Sequence, residues 1–255
     1  MNKLYNEDCF ITLNRPELQN NVDIILTSPP YNTSRPGASD KYNKRYKFYK
    51  DKITNDEYIK WSVDLFNNYD KILKKDGVIL YNLSYSSENT SLIWLTVADI
   101  IKNTEFTTAD CIIWKKKSAI PNNRSKNKLT RIVEYIFVFV RKSELKSFNS
   151  NKKIVSVIKK TGQANYENIY NFIEAKNNDS NTKINKATFS SELVIKLLNI
   201  YAKKESIIYD NFIGTGTTAI GCLKTGNYYI GSETDKEQYD YSLNRIKNYV
   251  KNISN

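Results

Sequence analysis

Residues 206–218 read Ser206-Ile207-Ile208-Tyr209-Asp210-Asn211-Phe212-Ile213-Gly214-Thr215-Gly216-Thr217-Thr218. A short apolar run ends on an acid, a loop with two glycines around one residue follows, and helical spacing resumes through Ala219 and Leu223. The pattern predicts strand, tight turn and helix. The glycines let the backbone turn sharply and approach a ligand with no Cβ in the way. The first turn of the helix offers unpaired N–H groups. Tyr228-Tyr229-Ile230-Gly231 reads as the next strand, and Glu233 follows 17 residues after Gly216. An acid at the end of the second strand is placed to bind the ribose hydroxyls of a nucleoside. The glycine pair alone fits an ordinary turn; with the strands, the helix and the acid it points to a cofactor-binding unit. No Gly-Lys-Ser/Thr and no G-x-G-x-x-G is present, which argues against a P-loop and a nicotinamide cofactor.

Working outward, strands and helices alternate. Strands are expected at Val22 to Thr27, from Val78 to Tyr81, at Asp110 to Trp114 and at Ile132 to Val140. Helices are expected after the Thr54-x-x-Glu57 capping box, at Ser91 to Lys102, at Phe189 to Ala202 and after Thr234-x-x-Glu237. Lys75-Asp76-Gly77 reads as the close of the helix that begins at Thr54. This alternation predicts an α/β fold with a mostly parallel sheet covered on both faces. Residues 142–184 are polar and weakly patterned, and read as a small inserted recognition segment between two parts of one domain, 1–141 and 185–255.

Composition narrows the chemistry. The chain has 255 residues and no histidine, which excludes a Ser-His-Asp triad, a Cys-His dyad and a His-ligated metal. Its three cysteines, Cys9, Cys111 and Cys222, have no paired spacing, so neither a disulfide framework nor a zinc site is expected. No apolar run is long enough to span a bilayer, and the first residues lack the apolar core of a signal peptide; a cytoplasmic location is the expectation. The 39 Lys and Arg outnumber the 27 Asp and Glu, for a net charge of +12. This suits a nucleic-acid partner, but a composition rich in Lys, Asn, Ile and Tyr would arise equally in an AT-rich genome.

A second loop is distinctive. Thr27-Ser28-Pro29-Pro30-Tyr31 follows a buried strand, which the proline pair must end. Ser28 and nearby carbonyls can accept hydrogen bonds from an amino group, and Tyr31 offers a flat face for stacking. Acceptors around an exocyclic amine favour a tetrahedral nitrogen and aim its lone pair at an electrophile. A plain structural turn is the competing reading of these residues.

Ser28-Pro29-Pro30-Tyr31 together with Asp210-x-Phe212-x-Gly214-x-Gly216-Thr217-Thr218 resembles the amino-group DNA methyltransferases that use S-adenosylmethionine. The proline loop precedes the glycine loop by most of the chain, as in their permuted β-class, whose fold is Rossmann-like. Asn185 to Leu193 resembles the family segment before the glycine loop. There Asn185-Lys186 replaces the usual His-Pro and Ser190 a proline, and Asn211 replaces a proline in the glycine loop itself. The resemblance implies that Asp210, Phe212, Gly214, Gly216, Thr217 and Thr218 surround the cofactor and that Glu233 binds its ribose. It implies that Asp8 and Cys9 flank the adenine, that Thr188 and Phe189 close over the methionine portion, and that Ser28, Pro29, Pro30 and Tyr31 hold the target base. No metal is implied.

A base must leave the duplex to be reached, and phosphate contacts help offset that cost. Two basic stretches are candidates: Arg35 to Lys52, with Arg35, Lys44, Arg45 and Lys47 interleaved with tyrosines, and Lys115 to Arg131, with Lys115, Lys116, Arg124 and Lys126 and no acid. Solvated charge is the competing reading. The partner implied is double-stranded DNA, with a separate restriction endonuclease and a homodimer left open. Ser before Pro-Pro favours N4 of cytosine, whereas the glycine loop resembles the N6-adenine branch as well. A protein or RNA methyltransferase and a non-catalytic nucleic-acid binder are the remote alternatives; the motif order and the intact loops argue against them.

Overall fold

A computed structural model describes residues 2–32, 53–85, 89–118, 121, 126–148, 150–180 and 188–254. The strands are β1 (Lys3–Tyr5), β2 (Val22–Thr27), β3 (Leu73–Leu83), β4 (Phe106–Lys116), β5 (Val133–Arg141), β6 (Ile154–Val157), β7 (Ala164–Tyr166), β8 (Phe172–Ala175), β9 (Ile207–Asp210) and β10 (Tyr228–Ser232). The helices are α1 (Cys9–Leu13), α2 (Asn55–Ile72), α3 (Leu92–Asn103), α4 (Ser191–Tyr201), α5 (Thr217–Thr225) and α6 (Lys236–Ser254).

Eight strands form one sheet in the order β1-β10-β9-β2-β3-β5-β4-β8. Its pairings are parallel except those of β5, which runs against both β3 and β4. The carboxyl ends of the parallel strands therefore share one edge, with the amino end of β5 beside them. Side chains alternate across the pleat. Ile24, Leu26, Val78, Leu80, Ile136 and Val138 pack on α4 and α5. Ile25, Ile79, Tyr81, Phe137 and Phe139 pack on α2 and α3. Phe66 of α2 centres the second layer, with ring centroids 5.1 Å from Tyr81 and 4.8 Å from Phe139. On the first layer α4 crosses α5 so closely that a Cβ on Gly221 would lie 2.2 Å from Val194.

The capping box forms as expected: Thr54 accepts from the Glu57 amide, and Glu57 accepts from the Thr54 amide at 2.7 Å. Two local expectations are corrected. Lys75-Asp76-Gly77 lies inside β3, and α2 ends earlier, at Ile72. The cause is tertiary: the Arg141 guanidinium donates to the carbonyls of Asp70, Leu73 and Lys74 at 2.8–3.0 Å, satisfying the helix end from another strand. At α6 the cap is Asp235 rather than Thr234, since its carboxylate accepts from the amides of Glu237 and Gln238.

Residues 142–184 divide. β6 and β7 form a separate two-stranded ribbon, whereas β8 is the outer strand of the main sheet beside β4. The ribbon's root is tied to the carboxyl end of α4, where the Asn151 amide donates to the Ile200 carbonyl. That lies at the opposite edge of the sheet from the two sequence-marked loops. Among the described residues no helix is long and apolar enough to cross a membrane, and no cluster could hold a metal ion.

Candidate active site

The glycine loop and the proline loop leave the same edge of adjacent strands, because β9 pairs with β2. Asp210 joins them. It is buried, and its carboxylate accepts from Thr27 Oγ1 at 3.0 Å, the Phe212 amide at 3.1 Å and Thr218 Oγ1 at 2.5 Å. Burial pushes it up to about 6. Thr217 is also buried, its hydroxyl taking a hydrogen bond from Arg245. Gly216 stands before α5 at φ 80°, with no side-chain cap. A Cβ there would meet Ser242 at 3.1 Å, so the left-handed turn and the close approach of α6 both demand glycine.

Glu233 faces the glycine loop from the end of β10. Its carboxylate accepts from the amides of Gly214 at 3.0 Å and Asp235 at 2.8 Å. Burial pushes it up to about 7, with Asp235 and Asp210 adding repulsion. The turn after β1 reaches the same place, Asn6 donating to the Glu233 carbonyl at 2.8 Å. Asp8 caps α1 through the Phe10 amide, and Cys9 is buried, its thiol pushed up to about 12 by burial.

At the proline loop, Tyr58 of α2 donates to the Pro30 carbonyl at 2.8 Å. One turn on, Trp61 lies 5.8 Å from the Phe212 ring, so one helix braces both loops. Ser28 Oγ and Tyr31 Oη are 2.6 Å apart. Asn82 Nδ2 donates to Tyr31 Oη at 2.7 Å and to Glu134 Oε2 at 2.9 Å. Glu134 takes Lys116 Nζ on its other oxygen at 2.5 Å. Phe189 lines a small apolar cavity with Leu26, Thr27 and Asn82, between the sheet and α4. Thr188 Oγ1 and Asn82 Oδ1 are buried and have no hydrogen-bond partner among the described residues.

The structure thus gathers Ser28 to Tyr31, Asp8, Cys9, Phe189, Asp210 to Thr218 and Glu233 along one edge. It also places acids beside the basic stretch that has none in sequence. Lys115 pairs with Glu174, Lys116 with Glu134 and Lys117 with Glu192. Lys126 is exposed; Arg35, Lys44, Arg45, Lys47 and Arg124 lie outside the described residues. Sequence reading missed Asn82, Glu134, Tyr58 and Arg245. The available signal for Asn82 and Glu134 was a polar residue within an otherwise apolar strand.

The chain as a whole is similar to known proteins. Residues 22–244 match the family model of N6/N4 DNA methylases. The chain is 26% identical over 259 residues to the type II methyltransferase M.BglII of Bacillus subtilis, covering 94% of this chain and 67% of that one. It is 24% identical to the orphan methyltransferase M.BamHII of Bacillus amyloliquefaciens, over 90% of each. The fold resembles the cytosine-N4-specific PvuII DNA methyltransferase with a TM-score of 0.72 at 18% identity, over 95% of this chain and 85% of that one. It also resembles M1.HpyAVI, solved in complex with SAM, with a TM-score of 0.62 at 22% identity, over 96% of this chain and 100% of that one.

Proposed function

The chain belongs to the N6/N4 DNA methylase family and is a DNA amino-methyltransferase that uses S-adenosylmethionine; from that premise we propose that it methylates N4 of cytosine in double-stranded DNA. The observation that carries the choice of base is Ser28, a hydroxyl rather than a carboxylate or amide, at the head of the proline loop. The fold neighbour named as cytosine-N4-specific supports the same reading.

The site fits the cofactor on its own features. Gly214 and Gly216 leave two positions of the loop without a side chain, the half-buried Glu233 retains lone pairs for a diol, and Thr188 Oγ1 lacks a partner among the described residues. When bound, S-adenosylmethionine would supply an electrophilic methyl group to the amino nitrogen of the base. Glu233 would hold the ribose, Phe212 would pack beside the adenine, and Phe189 would close the methionine end. Ser28 Oγ and the loop carbonyls would accept the N–H bonds of the amino group and aim its lone pair. Tyr31 would stack on the flipped base, its ring fixed by the hydrogen bonds at its hydroxyl. Lys126 and the basic residues flanking the proline loop would meet phosphate.

The test is methyl transfer from labelled S-adenosylmethionine into unmethylated DNA, followed by digestion to nucleosides and mass analysis. N4-methyldeoxycytidine is expected. N6-methyldeoxyadenosine would overturn the choice of base and leave the activity standing.

A further inference from the structure

Glu134 is a buried acid on β5, and nothing in the motifs accounts for it. Its partners come from three other segments: Lys116 at the end of β4, Asn82 near the end of β3, and Tyr31 after β2. The hydrogens in this cluster can be assigned by counting donors. An ionised carboxylate only accepts. With Oε1 taken by Lys116, Oε2 receives the Asn82 amide at 2.9 Å and the Tyr31 hydroxyl at 3.3 Å. The contact with Glu134 also fixes the amide of Asn82, since the flipped form would set oxygen against oxygen. The Tyr31 hydroxyl has one hydrogen and faces two acceptors among the described residues; we assign it to the charged Glu134 at 3.3 Å rather than to Ser28 at 2.6 Å. Its 2.6 Å contact with Ser28 is then made by the Ser28 hydrogen. Among the described residues both lone pairs of Ser28 Oγ are left to receive N–H bonds, apart from a long 3.3 Å approach from Asn82.

We propose that Glu134 is a positioning residue for methyl transfer: acting through Tyr31, it fixes Ser28 Oγ as an acceptor toward the amino group of the target base, and Lys116 holds Glu134 in place. This rests on the reading of Ser28 to Tyr31 as the loop that holds that amino group. A neutral, donor-capable side chain at 134 would let the chain reverse. Tyr31 would then donate to Ser28, and the Ser28 hydrogen would turn toward the substrate nitrogen and compete with its N–H bonds.

The experiment compares Glu134→Gln, Tyr31→Phe, Ser28→Ala and the double variant Glu134→Gln/Ser28→Ala. It measures kcat, KM for DNA, S-adenosylmethionine affinity and thermal midpoint. Glu134→Gln and Tyr31→Phe are each expected to lower kcat on the order of tenfold or more, with cofactor affinity and KM within about twofold. Glu134→Asp, which keeps the charge, is expected to retain more kcat than Glu134→Gln. In the Ser28→Ala background Glu134→Gln is expected to add less than about twofold, because the group it acts through is gone. If Glu134→Gln fails to fold, Tyr31→Phe and its double variant with Ser28→Ala carry the same test. Wild-type kcat in Glu134→Gln or Tyr31→Phe, or multiplicative losses in the double variant, overturns the proposal while a defective Ser28→Ala leaves the loop reading intact. Wild-type turnover by Ser28→Ala overturns the loop reading itself. Lys116→Gln separates two roles: loss of kcat at constant KM supports the ion-pair role, whereas a raised KM and a shallower salt dependence assign Lys116 to phosphate and count against it.

Discussion

Glu233 and Glu134 are both acids set beside a sequence-marked loop, and they are held in different ways. Glu233 takes backbone amides, from Gly214 and Asp235, and among the described residues has no cation against it. Glu134 takes side chains, from Lys116, Asn82 and Tyr31. Backbone donors are fixed once the turn forms, so the glycine-loop side is shaped by loop conformation. Hydroxyl and amide donors can reorient, so on the proline-loop side the charge of one buried residue decides which way several hydrogens point. Asp210 ties the two sides together, reaching Thr27 below the proline loop and Thr218 at the head of α5.

The strongest way to break this comparison is to remove the tie. Asp210→Ala leaves two hydroxyls and one amide unpaired in the interior, and should cost about 3 kcal/mol or more. Urea denaturation checks the stability and calorimetry the cofactor affinity. Both should fall, and near-native values for both would mean that the halves hold themselves. Next in size is the pH response of Glu233. Burial raises its pKa from 4.5 for a free carboxyl to about 7 in the fold. The neutral form is therefore favoured by folding. This contribution to stability is complete below about 4.5 and is lost as pH climbs through 7. Ribose hydroxyls donate to the ionised form, so cofactor affinity should run the other way, weakening about tenfold per pH unit below 7. Glu233→Gln should flatten both trends in titrations from pH 5.5 to 8.5; a wild-type profile in that variant would place the titration elsewhere. The smallest effect is expected at Tyr58→Phe, which leaves the Pro30 carbonyl unpaired. It should cost about 1 kcal/mol and lower kcat with cofactor affinity unchanged. An equal loss of cofactor affinity would show that α2 transmits the change to Phe212 through Trp61 and would blur the distinction between the two sides.

Much of the glycine-loop side was legible in one dimension. Its strand, glycine turn, helix and acid are local patterns, and the positive φ of Gly214 and Gly216 is a property of the residues themselves. The same holds for the capping box at Thr54 and for the alternation that yields a sheet with helices on both faces. The ends of elements were less legible where a distant group decides them, as Arg141 does for α2. Within residues 142–184, β8 is a strand because β4 offers it an open edge, and its four residues carry little pattern of their own.

By itself, then, the sequence determined the α/β class, the order of the two loops and the family they mark, because turn geometry and hydrophobic period are written over a few neighbouring residues. The tertiary structure alone decided that Glu134, Asn82 and Lys116 stand at the proline loop, and that the lysines at 115–117 face carboxylates. Those partners lie up to 103 residues apart in sequence, as Tyr31 and Glu134 do. Only the register of β3, β5 and β4 brings them within hydrogen-bonding distance.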